Sequence, residues 1–316
     1  MDFAPLPGAA PDAPRKTGIE IEFSGLTEEA VAGIVARTLG GEVHSDGAHA
    51  YRVSGTELGE VRIELDIFLR KKQGGKLLEN GLDLARAVIP VEIVTDPLTP
   101  EQIGELDALR AVLRREGAEG SSQGVFLGFG VHLNPALSGT PEHDGAVILA
   151  FGLLEDHLRA AFPLDTTRRL LPFVDPWPRA LVDDLAEARS PSISDIMDLY
   201  ATHTTSRNHG LDLLPVFKDA APDRFARLFR HTDGHVSGRP AFHVRLPDCR
   251  IDEADWSLHE AWDMWQLVER VAQEDALLDR LCEDRLAQRG RLLTTRSGWA
   301  RQVDARLAES GLGATA

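Results

Sequence analysis

Residues 18–23 read GIEIEF, apolar and acidic side chains in strict alternation. A β-strand turns successive side chains to opposite faces, so Ile19, Ile21 and Phe23 must share one face and Glu20 and Glu22 the other. The pattern recurs along the chain. EVRIELDIF, around 60–68, sets Val61, Ile63 and Leu65 against Arg62, Glu64 and Asp66, and a strand at about 89–95 carries Glu92. GFGVHLNPAL at 128–137 sets Val131 and Leu133 against His132 and Asn134, and AFHVRL at 241–246 puts His243 and Arg245 on one face. Further short strands are expected at 49–53 and 207–213. Strands that each keep a single apolar face need one covering layer, so the expected fold is α+β, with a sheet covered on one face and open on the other.

The intervals between strands carry helical spacing. Helices are expected at 27–39, 76–88, 99–115, 140–162, 178–188, 192–202, near 222–231, over 253–288 and at 298–310. The start at Thr99-Pro100-Glu101-Gln102 has proline in the first turn and glutamine three residues after the cap. Trp256, Trp262 and Trp265 fall on one stripe of the 253–288 segment. No repeat or linker divides the chain, so 17–316 reads as one domain, helical from about 253, behind a flexible Pro/Ala lead-in at 1–16.

With 34 Lys plus Arg against 50 Asp plus Glu, the net charge of −16 argues against nucleic acid and anionic membrane as partners. No stretch reaches the roughly 18 apolar residues of a membrane span. Cys249 and Cys282 form no CxxC and support neither a zinc ribbon nor a disulfide framework, which fits a reducing cytoplasm.

Alternation assigns Glu20, Glu22, Glu64, Asp66, Glu92, His132, Asn134, His243 and Arg245 to the non-core faces. A merely solvated sheet face is usually richer in Thr, Lys and Ser. Carboxylates brought together repel by several kcal/mol at about 4 Å and intermediate dielectric, so such a face calls for protons or divalent cations. Mg²⁺ or Mn²⁺ is the natural occupant, since hard cations take oxygen ligands. Neither a P-loop nor GxGxxG nor HExxH is present. HTDGH at 231–235 reads as an incidental loop pair, and His44, His49 and His203 lack partners at ligand spacing.

TGIEIEF, VEIVTDPL, GFGVHLNPAL, RNHGLDL and FHVRLPD, in that order across about residues 17–265, resemble the motifs of the amidoligase family in the carboxylate–amine ligase superfamily. Its relatives include glutamine synthetase and glutamate–cysteine ligase. The resemblance implies a curved, mostly antiparallel sheet backed by helices, a glutamine-synthetase-like catalytic domain with ATP and metals on the concave face. It implies Glu20, Glu22 and Glu92 as metal carboxylates, and His132 beside the metal and the γ-phosphate. Arg245 would stabilise the transferred phosphate and Arg207 would contact phosphate or substrate. Two departures stand out: His243 replaces a usual Glu and Asp212 a usual Asn. Imidazole at 243 either keeps the metal site with a softer ligand or impairs metal binding and catalysis.

The implied activity is ATP- and Mg²⁺-dependent amide formation between a carboxylate, activated as acyl phosphate, and an amine, on a peptide or amino-acid-like substrate. Positioning and charge neutralisation would carry the catalysis, and Glu64 or Asp66 would take the amine proton. Asn134 would orient a neighbour. A metal-dependent hydrolase using the same carboxylates and histidines, and a non-catalytic member of the family, are the competing readings.

Overall fold

The computed structural model describes residues 2–8, 14–65, 90–121, 128–162, 164, 174–189, 191–289 and 294–313. Six strands, β1 (Thr17–Phe23), β2 (Glu42–Gly47), β3 (Ala50–Thr56), β4 (Gly59–Leu65), β5 (Val91–Thr95) and β6 (Val131–Pro135), form one sheet in the order β2-β3-β4-β5-β1-β6. Every neighbouring pair is antiparallel. Ten α-helices accompany it among the described residues: α1 (Glu28–Leu39), α2 (Pro100–Arg115), α3 (Pro141–Ala161), α4 (Arg179–Ala188), α5 (Ile193–His203), α6 (Leu214–Ala220), α7 (Pro222–Leu228), α8 (Leu258–Ala272), α9 (Asp275–Gln288) and α10 (Arg296–Glu309). The fold is therefore α+β, as the alternation requires.

Ile19, Ile21, Phe23, Val61, Ile63, Ile93, Val131 and Leu133 are all buried, the apolar faces of four adjacent strands. Helix α1 lies across β3 and β4 and packs on α2. It starts where Thr27 Oγ1 accepts the Ala30 N–H and stops at Gly40, whose φ of 74° suits a residue without a Cβ. Helix α2 begins with a reciprocal capping box between Thr99 and Gln102. Its far end is tied to the end of β1 by two backbone hydrogen bonds between Ser24 and Glu119. Gly25 makes that approach possible: its φ is 87°, and a Cβ there would sit 2.2 Å from the Gly117 carbonyl oxygen.

The second half is helical and centres on α3, whose run from Val147 to Leu154 is buried without interruption. Helices α4, α5, α8, α9 and α10 pack around it, as expected of a helix apolar on nearly every face. Trp177, Trp262 and Trp299 donate their indole N–H to the carbonyls of Leu211, Ala4 and Leu153, and Trp265 donates to Glu269 Oε1. Each ring thus buries a large apolar area without orphaning its polar atom. No helix among the described residues is long and apolar enough to cross a membrane.

Several expectations change in detail. The segments expected as strands at 207–213 and 241–246 extend the sheet past β6, with 241–246 next to β6 and 207–213 beyond it, but single bridges hold them: Leu133 to Val244, Ala136 to Ala241, and Leu211 to Val244. Pro240 and Pro247 flank the second segment and remove ladder donors. The helical stretch 253–288 divides at Gln273 and Glu274 into α8 and α9, and buried Trp256 precedes α8. The flexible lead-in is anchored where it is described. Phe3 stacks on His259 at 3.8 Å, and Arg15 pairs with Glu269 at 2.8 Å, both side chains buried. The helix expected at 76–88 lies outside the described residues, as does Asp66.

Candidate active site

Because β1 lies between β5 and β6, its two glutamates meet different neighbours. Glu22 stands opposite Glu92 on β5, and Glu92 stands opposite Glu64 on β4, so three carboxylates form one row across the sheet. Glu20 stands opposite His132 on β6. Continuing the register of the Leu133–Val244 bridge sets Arg245 beside His132 and His243 beside Asn134. Glu20, Glu22, Glu92, His132, Asn134, His243 and Arg245 therefore occupy one face. This face is not a wet surface: Glu22 is 8% exposed, His132 6%, Asn134 8% and His243 6%. Glu64 is exposed, at the outer end of its row.

His132 lies between the two glutamates of β1, with Nδ1 at 2.8 Å from Glu20 Oε2 and Nε2 at 3.7 Å from Glu22 Oε1. Burial works against the charge on Glu20, but the His132 hydrogen bond and the surrounding positive field, including Arg239, overcome it and hold the carboxyl well below the usual range. An ionised carboxylate only accepts, so His132 Nδ1–H is the donor. Glu20 Oε1 accepts a second bond from Asn134 Nδ2 at 2.9 Å. Glu22 Oε2 accepts the Gly130 backbone N–H at 2.8 Å, where Gly130 is held in a bridge to Asp248 just before β6.

Asn134 completes the arrangement. With its amide nitrogen committed to Glu20, its Oδ1 faces His243 Nδ1 at 2.8 Å and accepts from it. Burial drives the His243 pKa well below its ordinary value, with His132, Arg245 and Arg239 acting in the same direction against the attraction of Glu20, and the ring is neutral. Its remaining lone pair is then on Nε2. A histidine whose other nitrogen is held by an oxygen acceptor is how proteins orient an imidazole for a metal.

Two groups of donors come within bonding reach of a single ion. Glu20, His132 and His243 have one ligand atom each within 4.8 Å of one another, and so do Glu22, Glu92 and His132. Carboxylate oxygens and imidazole nitrogens suit a divalent cation, so the residues fit the metal expected on this face.

On the far side, Arg245 Nη1 donates to the Arg207 carbonyl at 3.0 Å, and Arg207 is oriented by Asp212 through a 3.0 Å contact from Nε. Asp212 is fully buried and also accepts the Leu214 N–H at the start of α6. The departure from Asn at 212 thus provides a counter-charge for Arg207. Arg239 was not singled out from the sequence. It belongs to no strand, yet its charge reaches both Glu20 and His243, and its Nε is buried without a hydrogen-bond partner among the described residues. The only signal for it was its position four residues before His243. Within HTDGH, Asp233–His235 form a 3₁₀ turn whose His235 carbonyl accepts from Arg207 Nη1 at 2.9 Å, and neither histidine joins a donor group. His44, His49 and His203 bond to Ser54, Glu28 and Asp184 and join neither group.

No curated protein matches the chain. A protein-family model described as "Putative amidoligase enzyme" matches residues 13–267, which contain all six strands, both donor groups and the three arginines. Amide-bond ligation is the activity to which that description points. The chain belongs to this amidoligase family.

Proposed function

We propose that the protein is an ATP- and Mg²⁺-dependent carboxylate–amine ligase that activates its acid as an acyl phosphate, on a peptide or amino-acid-like substrate. One observation carries the reading: two carboxylate–imidazole groups share His132 on a buried sheet face, with Arg239 and Arg245 beside them. Bound divalent ions would supply charge neutralisation for phosphate oxygens during transfer. Glu22 and Glu92 would hold one such ion, with Glu22 kept in place by the Gly130 N–H. Glu20 would serve the other, its two oxygens oriented by His132 and Asn134. Arg245 and Arg239 would stabilise the charge of the transferring group, as prepositioned donors in a water-poor site do. Arg207 would support Arg245 through its carbonyl and present its own guanidinium to phosphate or substrate. Glu64, exposed at the end of the acidic row, would accept the proton lost by the attacking amine.

Isothermal titration of the full chain with ATP tests this reading. Affinity should require Mg²⁺ and disappear in the Glu20→Ala, Glu22→Ala double variant. Equal ATP affinity in that variant, or with EDTA in place of Mg²⁺, would remove nucleotide from this face.

A further inference from the structure

The two donor groups are chemically unlike. Glu22 and Glu92 contribute carboxylate oxygens, with His132 as the single nitrogen donor. Glu20, His132 and His243 reverse the ratio, one carboxylate to two imidazoles. Mg²⁺ prefers oxygen and keeps much of its water, whereas imidazole favours the later first-row ions, with affinity rising from Mn²⁺ towards Cu²⁺.

The nitrogen-rich group is also prearranged. The rings of His132 and His243 meet edge to face with centroids 5.2 Å apart. Asn134 holds both ends: its Nδ2 donates to Glu20 and its Oδ1 accepts from His243 Nδ1. That second bond leaves Nε2 of His243 as its donor atom. Outer partners of this kind are typically worth about 10–100-fold in metal affinity.

We infer that the face holds an unlike pair of metal sites, in which Glu20, His132 and His243 bind a borderline transition ion such as Zn²⁺ or Co²⁺ that Mg²⁺ does not displace, the ion taking the place of the proton between His132 Nδ1 and Glu20, which is released to solvent, while Glu22 and Glu92 remain the Mg²⁺ side. The inference rests on the reading that this face binds divalent ions, but it needs no nucleotide and no turnover. His243 is then a selectivity determinant, the residue that changes which ion the site accepts.

The test uses the full-length chain, stripped with EDTA and dialysed, then titrated with CoCl₂ while visible d–d absorption is recorded. One equivalent of Co²⁺ should bind, survive about a thousandfold excess of Mg²⁺, and be displaced stoichiometrically by Zn²⁺. In His243→Glu, Co²⁺ affinity should fall at least about tenfold, the band should shift as an oxygen replaces nitrogen, and Mg²⁺ should compete. Glu92→Gln should retain the wild-type Co²⁺ spectrum and affinity, which separates the two groups and does not depend on the folding of a variant at a buried position. Displacement of Co²⁺ by Mg²⁺ in the wild type would overturn the inference, as would equal losses in His243→Glu and Glu92→Gln. Either result leaves the Mg²⁺-dependent ATP titration to decide the proposed function separately.

Discussion

Asn134→Asp changes one nitrogen to oxygen and keeps the shape, yet it should strike the centre of the site. The Nδ2 that donates to Glu20 Oε1 at 2.9 Å becomes an acceptor facing an acceptor. At an effective dielectric of about 20, two unit charges at that separation repel by about 6 kcal/mol. Rotation of the new carboxylate and partial protonation will relieve much of this, and a net loss of about 3 kcal/mol is expected in EDTA at pH 8. With unfolding entropy of about 2.1 cal/mol/K per residue, a chain of 316 residues should lose about 4–5 °C in Tm. Asn134→Leu, which removes both hydrogen bonds without adding charge, should lose a similar amount. Conditions separate the two. The deficit of Asn134→Asp should shrink as pH falls towards 5, because protonating either carboxyl ends the repulsion. It should shrink also in saturating Mn²⁺, which gains a ligand, whereas the deficit of Asn134→Leu should respond to neither. Parallel melts of both variants across pH and metal check this. An Asn134→Asp variant as stable as wild type in EDTA, or deficits in the two variants that move together, would refute the hydrogen-bond scheme.

Two further outcomes follow from buried charge. Glu269 is fully buried and accepts from Arg15, His143 and Trp265, so Glu269→Ala leaves the Arg15 guanidinium without its carboxylate. Urea denaturation should show a loss of about 3–5 kcal/mol, much of it recovered in the double variant Arg15→Met, Glu269→Leu; a loss below about 1 kcal/mol would show that the clasp is dispensable. His243 is neutral when folded because burial depresses its pKa, while the unfolded ring titrates near ~6.5. Stability in EDTA should therefore fall as pH drops below about 6.5, with up to about 1.4 kcal/mol per pH unit from this residue. Glu20 acts at a different pH: its depressed pKa stabilises the fold in full above about 4.3, and that contribution is lost progressively as pH falls below this value. His243→Gln should flatten the pH 5–6.5 slope, and an unchanged slope would show that the ring protonates freely in the folded protein.

Which residues share a face was legible because alternation is steric and local: Glu20 with Glu22, and His132 with Asn134, needed no partner strand to be placed. What each residue meets was not legible, because register belongs to pairs of strands. Nothing in GIEIEF states that Glu22 will face Glu92 while Glu20 faces His132. Strand β2, EVHSDG, escaped because it is exposed and has no apolar alternation to report. Helix α6, LPVFKDA, is only seven residues long and offers too little periodicity. Arg239 sits in irregular chain, where no period marks a side chain's direction, and only tertiary placement brings its charge to Glu20. The double role of Asn134 was half visible: alternation put it on the site face, but its bond to His243 depends on the bridge between Leu133 and Val244. The order of strands then explains why the site has two unlike halves. A central strand with acids at alternate positions presents each acid to both neighbours, and here the β5 side supplies a carboxylate while the β6 side supplies imidazoles and an amide. The carboxylate side concentrates repulsion that the proposed hard cation would relieve. The imidazole side already satisfies Glu20 through His132 and Asn134, so under the proposed pairing an ion entering there would have to compete with made hydrogen bonds and would be selected for its affinity to nitrogen.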